Sequence, residues 1–394
     1  MIAHLFKLVW NRKRANALIV VEVFFSFLVL FAVVSLTAYT LRNYLQPLGF
    51  SYKGVWVVNI GSIFRYDESK ANEDVPRLMT ALKEFPQIEA VGGQTLAMFN
   101  LAMSSGHYEH KGRRVDAYWN DVTDGFREAV GIEMIQGRWF NASDDALDYT
   151  PVIINRRFRD ALFGSDDPIG KTISLPNETR KLRVVGVMTE FRKQGEFSAP
   201  DNFYFRRISM KPGEQVRVMS FVVKVRPGTP PSLQEQIVTK LRSISRDRTY
   251  SVELLADNRR SFLQFQIAPV LAGGLVAAFM LLMVGLGMVG VVWQSVARRT
   301  REIGLRRALG GTARDVYAQV LGELVVIATL GLLLGGLLVA QAPLLGLVSW
   351  LTGKLFLVSL GVSLGLMYLL TAAAGLYPSW LATKVQPADV LHYE

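Results

Sequence analysis

Between Ala161 and Leu175 the chain reads ALFGSDDPIGKTISL, with Gly164 ahead of a Gly-Lys-Thr triplet at Gly170, Lys171 and Thr172. A triplet of that kind ends a phosphate-cradling loop, where backbone N–H groups and a lysine hold the phosphates of a nucleotide. The spacing argues against that chemistry. Such a loop keeps four residues between its glycines, follows a strand and opens a helix; five residues separate Gly164 from Gly170 here. Pro168 removes a backbone donor from the set that would face the phosphates. TISL then alternates polar and apolar residues as a strand does, so no helix N-terminus is presented to an anion. The stretch reads as a turn between a helix and a strand, with Gly170 permitting the backbone geometry. No other segment offers a phosphate loop. The expectation is a non-catalytic chain with no catalytic, cofactor-binding or metal-ligating residues of its own.

The elements around that turn follow from the distribution of apolar residues. The chain has 394 residues, 50% hydrophobic and 20% charged, with a net charge of +11. Ala17 to Leu41 contains one charge, Glu22, and Ser261 to Ala297 contains none. Val316 to Gly353 carries only Glu323, and Leu355 to Thr383 is again uncharged. About 20 apolar residues cross a bilayer core of about 30 Å, so these runs predict four transmembrane helices, at 17–41, 267–296, 316–342 and 355–382. The first run is too long for the apolar region of a cleaved signal peptide, and three more spans follow it, so it is expected to remain as an anchor.

Orientation is read from Lys and Arg in short loops. Lys7, Arg12, Lys13 and Arg14 precede the first span. Arg298, Arg299, Arg301, Arg306, Arg307 and Arg314 crowd the loop between spans two and three, while the turn between spans three and four has only Lys354. Both termini (1–16 and 383–394) and the 298–311 loop are therefore expected in the cytoplasm, and 42–262 outside. The basic clusters lie beside the membrane, which argues against a nucleic-acid footprint. The chain has no cysteine, so the outer segment must be stable without disulfides, which more than 200 residues can achieve with their own core.

VWVVNI, EDVPRLMTALKEF and IEAVGGQ give a strand, a helix with Val75, Leu78, Met79 and Leu82 at helical spacing, and a second strand. SFVVKV, PPSLQEQIVTKLRSI and YSVELL repeat the order just before span two. These are two βαβ-type units that pair into one α/β subdomain. Between them, at about 96–218, strand signals dominate: PVIIN, KTISL, KLRVVGVM and NFYF, with a short helix at NRRFRDALFG. The fold class expected is thus four transmembrane α-helices with a large extracytoplasmic α+β domain between spans one and two. A β-rich subdomain is inserted within that domain.

GRWF (Gly137 to Phe140), PVIINRRFRDALFGSDDPIGKTISL and LRVVGVMTEFR (Leu182 to Arg192) resemble the periplasmic core domain of MacB-like transporters. REIGLRRALGGTARDVYAQVLGELVV (Arg301 to Val326) resembles the cytoplasmic loop and following helix of the FtsX-like permease domain, and YPSWLATKVQPADVLHYE is similar to that domain's C-terminal end. The likeness covers nearly the whole chain in order. It departs from MacB at the N-terminus, where about 16 residues stand in place of a fused ATPase domain. The resemblance therefore implies a separate ABC ATPase subunit that uses the ATP. It also implies a second permease, as another copy or a homologous chain, and a bacterial inner-membrane location. A membrane-fusion adaptor and an outer-membrane channel are further partners of such systems. The mechanism implied is mechanotransmission, in which closure of the ATPase shifts the membrane helices and so moves the outer domains.

The loop offers the residues for such coupling: Arg301, Glu302, Ile303, Gly304, Leu305, Arg306, Arg307, Ala308, Leu309 and Gly310. Arg306 and Arg307 form a basic face, and Ile303, Leu305, Ala308 and Leu309 an apolar one. Gly310 and Gly311 break the helix, and Thr312 with Asp315 makes a capping box that starts span three. Ile2, Leu5, Phe6 and Val9 share one face of an interfacial amphipathic helix. Acids within spans are costly and mark pathways; Glu22 lies near the cytoplasmic end of span one. Glu323 matches a position where the family often has an acid, suited to pairing with an Arg of the loop. Gly331 and Gly335 form a G-x-x-x-G pair on span three that allows close helix approach, within the chain or between copies. Efflux of a drug, peptide or toxin is the leading function. Lipoprotein release and FtsX-like regulation of a cell-wall hydrolase are the alternatives, the second disfavoured by the large inserted subdomain.

Overall fold

The computed structural model describes residues 13–62, 68–173, 181–211, 217–298 and 312–383. The chain divides into two compact units: a sheet domain, Arg42–Gln266, and a helical unit made of the residues on either side of it.

In the sheet domain, β1 (Val55–Ser62) begins Val-Trp-Val-Val. A strand's two-residue period sends alternate side chains to opposite faces. Val55 and Val57 accordingly join one core, and Trp56 and Val58 another. Helix α2 (Glu68–Lys83) packs Val75, Leu78 and Leu82 on the Trp56 face, and β2 (Ile88–Gln94) follows it. Much later, β10 (Ser220–Val225), α5 (Leu233–Ile244) and β11 (Arg248–Leu254) repeat the pattern, with Leu233, Ile237 and Leu241 buried on that same face. The strands lie in the order β11-β1-β10-β2, each antiparallel to its neighbours. Hence β1 and β2 run parallel with β10 between them, and β10 and β11 run parallel with β1 between them. The two βαβ-type units are interleaved, each split by a strand of the other.

The inserted part continues the sheet. A single residue pair, Gln94 with Val122, joins β2 to β4 (Arg113–Val122). Beyond β4 come β9 (Phe203–Arg207), β6 (Thr150–Asn155), β8 (Leu182–Met188) and β5 (Met134–Gly137). β3 (Ser104–His110) forms a hairpin with β4 around Lys111 and Gly112, whose φ values of 49° and 78° suit the tight turn of twisted strands. α3 (Phe126–Val130) packs on one face, where Phe126, Phe191, Phe203 and Phe205 cluster. α4 (Arg156–Leu162) covers the other with Phe158 and Leu162, against Tyr108 and Tyr204. The GRWF motif is a staple of this part: Arg138 pairs with the buried Asp144, and the Trp139 indole donates to the Asp124 carbonyl at 2.8 Å.

Four described helices are long and apolar enough to cross a bilayer: α1 (Lys13–Tyr44), α6 (Leu255–Arg298), α7 (Ala313–Leu344) and α8 (Gly353–Thr383). α6 starts directly after β11, ahead of the domain boundary at 262 read from the sequence. Leu255 and Phe262 belong to the sheet-domain core, so the helix begins where that apolar contact begins.

Glycines set the closest approaches in the helical unit. A Cβ at Gly331 would stand 2.8 Å from the Val20 carbonyl, and one at Gly335 would stand 2.5 Å from the Phe27 ring. The G-x-x-x-G pair on α7 is thus filled by α1 of the same chain. Gly375 on α8 faces Leu321 and Leu324 of α7 in the same way. Phe31–Phe356 and Tyr39–Trp350 ring contacts, at 5.6 and 4.8 Å, join α1 to α8 and the turn before it.

Candidate coupling sites

The glycine-lysine turn is built for packing. Asn155 caps α4 by accepting the Phe158 amide, and Gly164 at φ +63° follows the helix. Gly170 has φ +77°, and its N–H donates to the Val184 carbonyl at 2.8 Å. The Lys171 N–H donates to the Pro168 carbonyl at 3.1 Å, and the Ile169 N–H to the Asp167 carboxylate, also at 3.1 Å. β7 (Thr172–Ile173) follows, paired with β8. The Ile169, Gly170 and Lys171 amides are therefore engaged, in the turn itself or with β8. The Lys171 amine lies 3.6 Å from Asp166, which also accepts from Lys111 at 2.7 Å. The hydrogen bond from Lys111 holds the Asp166 carboxyl below its usual range.

The coupling residues Arg301, Glu302, Ile303, Gly304, Leu305, Arg306, Arg307, Ala308, Leu309 and Gly310 lie outside the described residues, as does the amphipathic segment before Lys13. The box that ends the loop is formed. The Thr312 hydroxyl accepts the Asp315 amide, and the Asp315 carboxylate accepts the Thr312 amide at 3.0 Å. Of the two intramembrane acids, Glu323 is half-buried on α7. Glu22 is half-buried on α1, with its carboxyl against Gly287 of α6.

A further site gathers the two ends of the sheet domain where the chain enters α1 and α6. β8 runs on through Phe191 into the turn Arg192 to Ser198. The Arg192 N–H donates to the Leu48 carbonyl at 3.1 Å, which sets that backbone against the Leu48–Tyr52 segment. Gly49 makes the approach possible: its φ is +87°, and a Cβ there would stand 1.6 Å from the Glu190 carbonyl oxygen. Arg192 is 3% exposed. Its Nη1 donates to the carbonyls of Asn43 and Gln46, both at 2.9 Å, and its Nη2 to those of Glu196 and Ser198. Asn43 belongs to the last turn of α1, whose carbonyls lack helical partners and form the negative end of the helix dipole. The turn also grips α6. The Glu196 carboxylate accepts from Arg259 at 2.6 Å, the Ser198 hydroxyl accepts from Gln266 at 2.9 Å, and Arg259 lies over the Tyr52 ring.

Next to it, Lys193 is 2% exposed. Its amine donates to the carbonyls of Ala102 at 2.6 Å and Asn100 at 3.3 Å, and among the described residues it has no carboxylate partner. Burial pushes its pKa down to about 8. Burial likewise raises the nearby carboxyls Glu190 and Asp201 above their usual range. These hub residues were not singled out from the sequence, although Arg192 closes the LRVVGVMTEFR motif.

A sheet domain between the first two of four candidate spans is the architecture of a multi-pass membrane protein. The MacB-like periplasmic core domain model matches residues 17–240, and the FtsX-like permease C-terminal model matches residues 274–387. The macrolide export ATP-binding/permease protein MacB of Bordetella avium is 31% identical over 236 residues, 56% of this chain and 35% of its own. MacB of Bdellovibrio bacteriovorus is 30% identical over 293 residues, 70% of this chain and 44% of its own. The ABC transporter permease YknZ of Bacillus subtilis is 25% identical over 327 residues, 76% and 75% of the two chains. The chain thus spans less than half the length of these two MacB relatives. The crystal structure of the periplasmic region of MacB from Actinobacillus actinomycetemcomitans aligns with 55% of this chain and 96% of its own, at 17% identity and a TM-score of 0.39. The chain belongs to the MacB/FtsX-like family of ABC transporter permeases.

Proposed function

We propose that the chain is the non-catalytic permease subunit of a MacB-like ABC transporter, converting ATP hydrolysis by a separate cytoplasmic ATPase into movement of its sheet domain. Two such permeases pair, both termini face the cytoplasm, and the sheet domain lies outside the inner membrane. The transporter exports a drug, peptide or toxin, and its substrate is handled at the sheet domain.

One observation carries this reading. α6 is continuous over 44 residues, and its first turns, Leu255 to Gln266, belong to the sheet domain. At 1.5 Å per residue that is about 66 Å of helix, roughly twice the thickness of a bilayer core. The chain thus leaves the sheet domain as helix, with no loop between Gln266 and Ile267 and with Pro269 just beyond, so in this reading displacement is passed on through helical backbone. The family membership supports the ATPase partner, and the positive-inside pattern supports the orientation.

The test is at the loop. Leu309→Asp places a charge on its apolar face, where burial without a partner opposes docking. Co-purification with the ATPase should be lost while the chain stays inserted; Arg299→Gln, outside the Arg301 to Gly310 stretch, should retain it. Retention of the ATPase by Leu309→Asp would remove the coupling role from this loop.

A further inference from the structure

We infer that the Arg192–Ser198 turn is the joint that fixes the outer end of α1 to the base of α6, so that the two helices act on the sheet domain as one lever, with Arg192 as its positioning residue. The inference rests on the mechanotransmission reading and names where in the domain the force enters.

Two chain connections link the sheet domain to its spans, and they are more than 200 residues apart in sequence. Unless something ties them, α1 and α6 could shift independently, and the domain would yield locally instead of moving as a body. The turn supplies that tie from both sides. On the α1 side, one guanidinium reaches Asn43 and Gln46 with Nη1. The Asn43 side chain returns a bond to the Phe197 carbonyl at 3.1 Å, and the Tyr44 and Phe197 rings lie 5.6 Å apart. On the α6 side stand Glu196 with Arg259 and Ser198 with Gln266. Arg192 closes the turn on itself through the Glu196 and Ser198 carbonyls, so the same side chain organises both grips. Lys193 extends the hold to the carbonyls of Asn100 and Ala102.

The chemistry requires arginine. A planar guanidinium offers five donors in a fixed fork and spans acceptors on two segments, whereas an ammonium of equal charge is a point donor with three protons. Arg192→Lys therefore keeps the cation at the dipole end of α1 and loses the bridge. It separates bridging from charge. Arg259→Gln loosens the same joint from the more exposed α6 side, and serves where the buried substitution impairs folding. Arg138→Gln removes an equally close ion pair elsewhere in the domain and is the control for general loosening.

The experiment uses the full chain with its ATPase in nanodiscs and paired spin labels on introduced cysteines. Labels at Leu45 and Phe265, both exposed, report the separation of the two helix ends. Labels at Ser232 and Leu347 report movement of the sheet domain when ATP and vanadate trap the closed ATPase. The wild type and Arg138→Gln should give a narrow Leu45–Phe265 distribution. Arg192→Lys and Arg259→Gln should broaden it and shrink the nucleotide-driven Ser232–Leu347 shift about tenfold in population, the scale of one lost hydrogen bond to a charged group, while ATP hydrolysis persists. An unchanged width and a full shift in both variants would overturn the joint. Absence of any shift in the wild type would overturn the mechanotransmission reading itself, and the joint with it.

Discussion

Glu22 on α1 lies against Gly287 on α6, so closely that a Cβ on the glycine would stand 2.9 Å from the Glu22 Oε2. The obstacle there is the end of a flexible side chain. At Gly331 it is the Val20 backbone carbonyl, at 2.8 Å, with Val23 beside it. Backbone cannot swing aside as a carboxylate can. Gly331→Ala should destabilise the helical unit by about 1–3 kcal/mol, the usual range for overpacking, and Gly287→Ala by less. Gly336→Ala, where nothing lies within 4 Å, should be neutral. Unfolding of the full chain in mixed micelles ranks the three; an equal effect at Gly336 would show that the α1–α7 contact is not what the glycines protect.

Lys193 gives the sheet domain a pH dependence of known sign. Its folded pKa is about 8 against an ordinary 10.5. Below pH 8 both folded and unfolded chains carry the proton, and this group adds no slope. Between about pH 8 and 10.5 the unfolded chain binds more protons than the folded one, so stability rises with pH. The gain approaches about 3 kcal/mol at 1.36 kcal/mol per unit. Lys193→Met removes the gain, so wild type minus variant stability should climb across that window. A flat difference from pH 7.5 to 10.5 would mean that the amine is solvated.

The Gly164 to Lys171 turn should have no part in nucleotide chemistry. Purified chain without its partner should hydrolyse no ATP. Lys171→Ala should leave hydrolysis by the assembled complex unchanged, because the lysine serves Asp166 in a half-exposed ion pair. Loss of hydrolysis on this substitution would restore the phosphate-loop reading.

Topology is checked with single cysteines, since the chain has none of its own. Cysteines at Ser104 and Ser232 should react with an impermeant maleimide in intact cells, and one at Thr312 should be protected. Labelling at Thr312 from outside would invert the orientation.

Much of this architecture was legible in the residues. The unbroken apolar runs in VWVVNI and SFVVKV mark strands buried on both faces, and Val75, Leu78 and Leu82 mark the helix between. Interleaving of the two units was not legible, because which strand pairs with β1 depends on contacts some 200 residues apart and leaves no local pattern. The G-x-x-x-G pair allowed close approach of a helix to α7, without deciding between a helix of the same chain and one of another copy. The hub was the least legible feature. Arg192 and Lys193 look like surface cations in sequence, and the carbonyls that satisfy them belong to every residue type, so no partner residue marks the site. Pro168 and the glycine spacing, by contrast, were sufficient for the turn, because both act on the backbone locally.

The central claim is that nucleotide closure in the cytoplasm moves the sheet domain. It is tested most directly by the distance between labels at Ser232 and Leu347 in the assembled transporter, with and without ATP and vanadate. The account predicts a second distance population that appears with trapped nucleotide, disappears on washout, and fails to form when Leu309→Asp blocks the loop. A single distribution, the same in both nucleotide states while ATP is being hydrolysed, would contradict it.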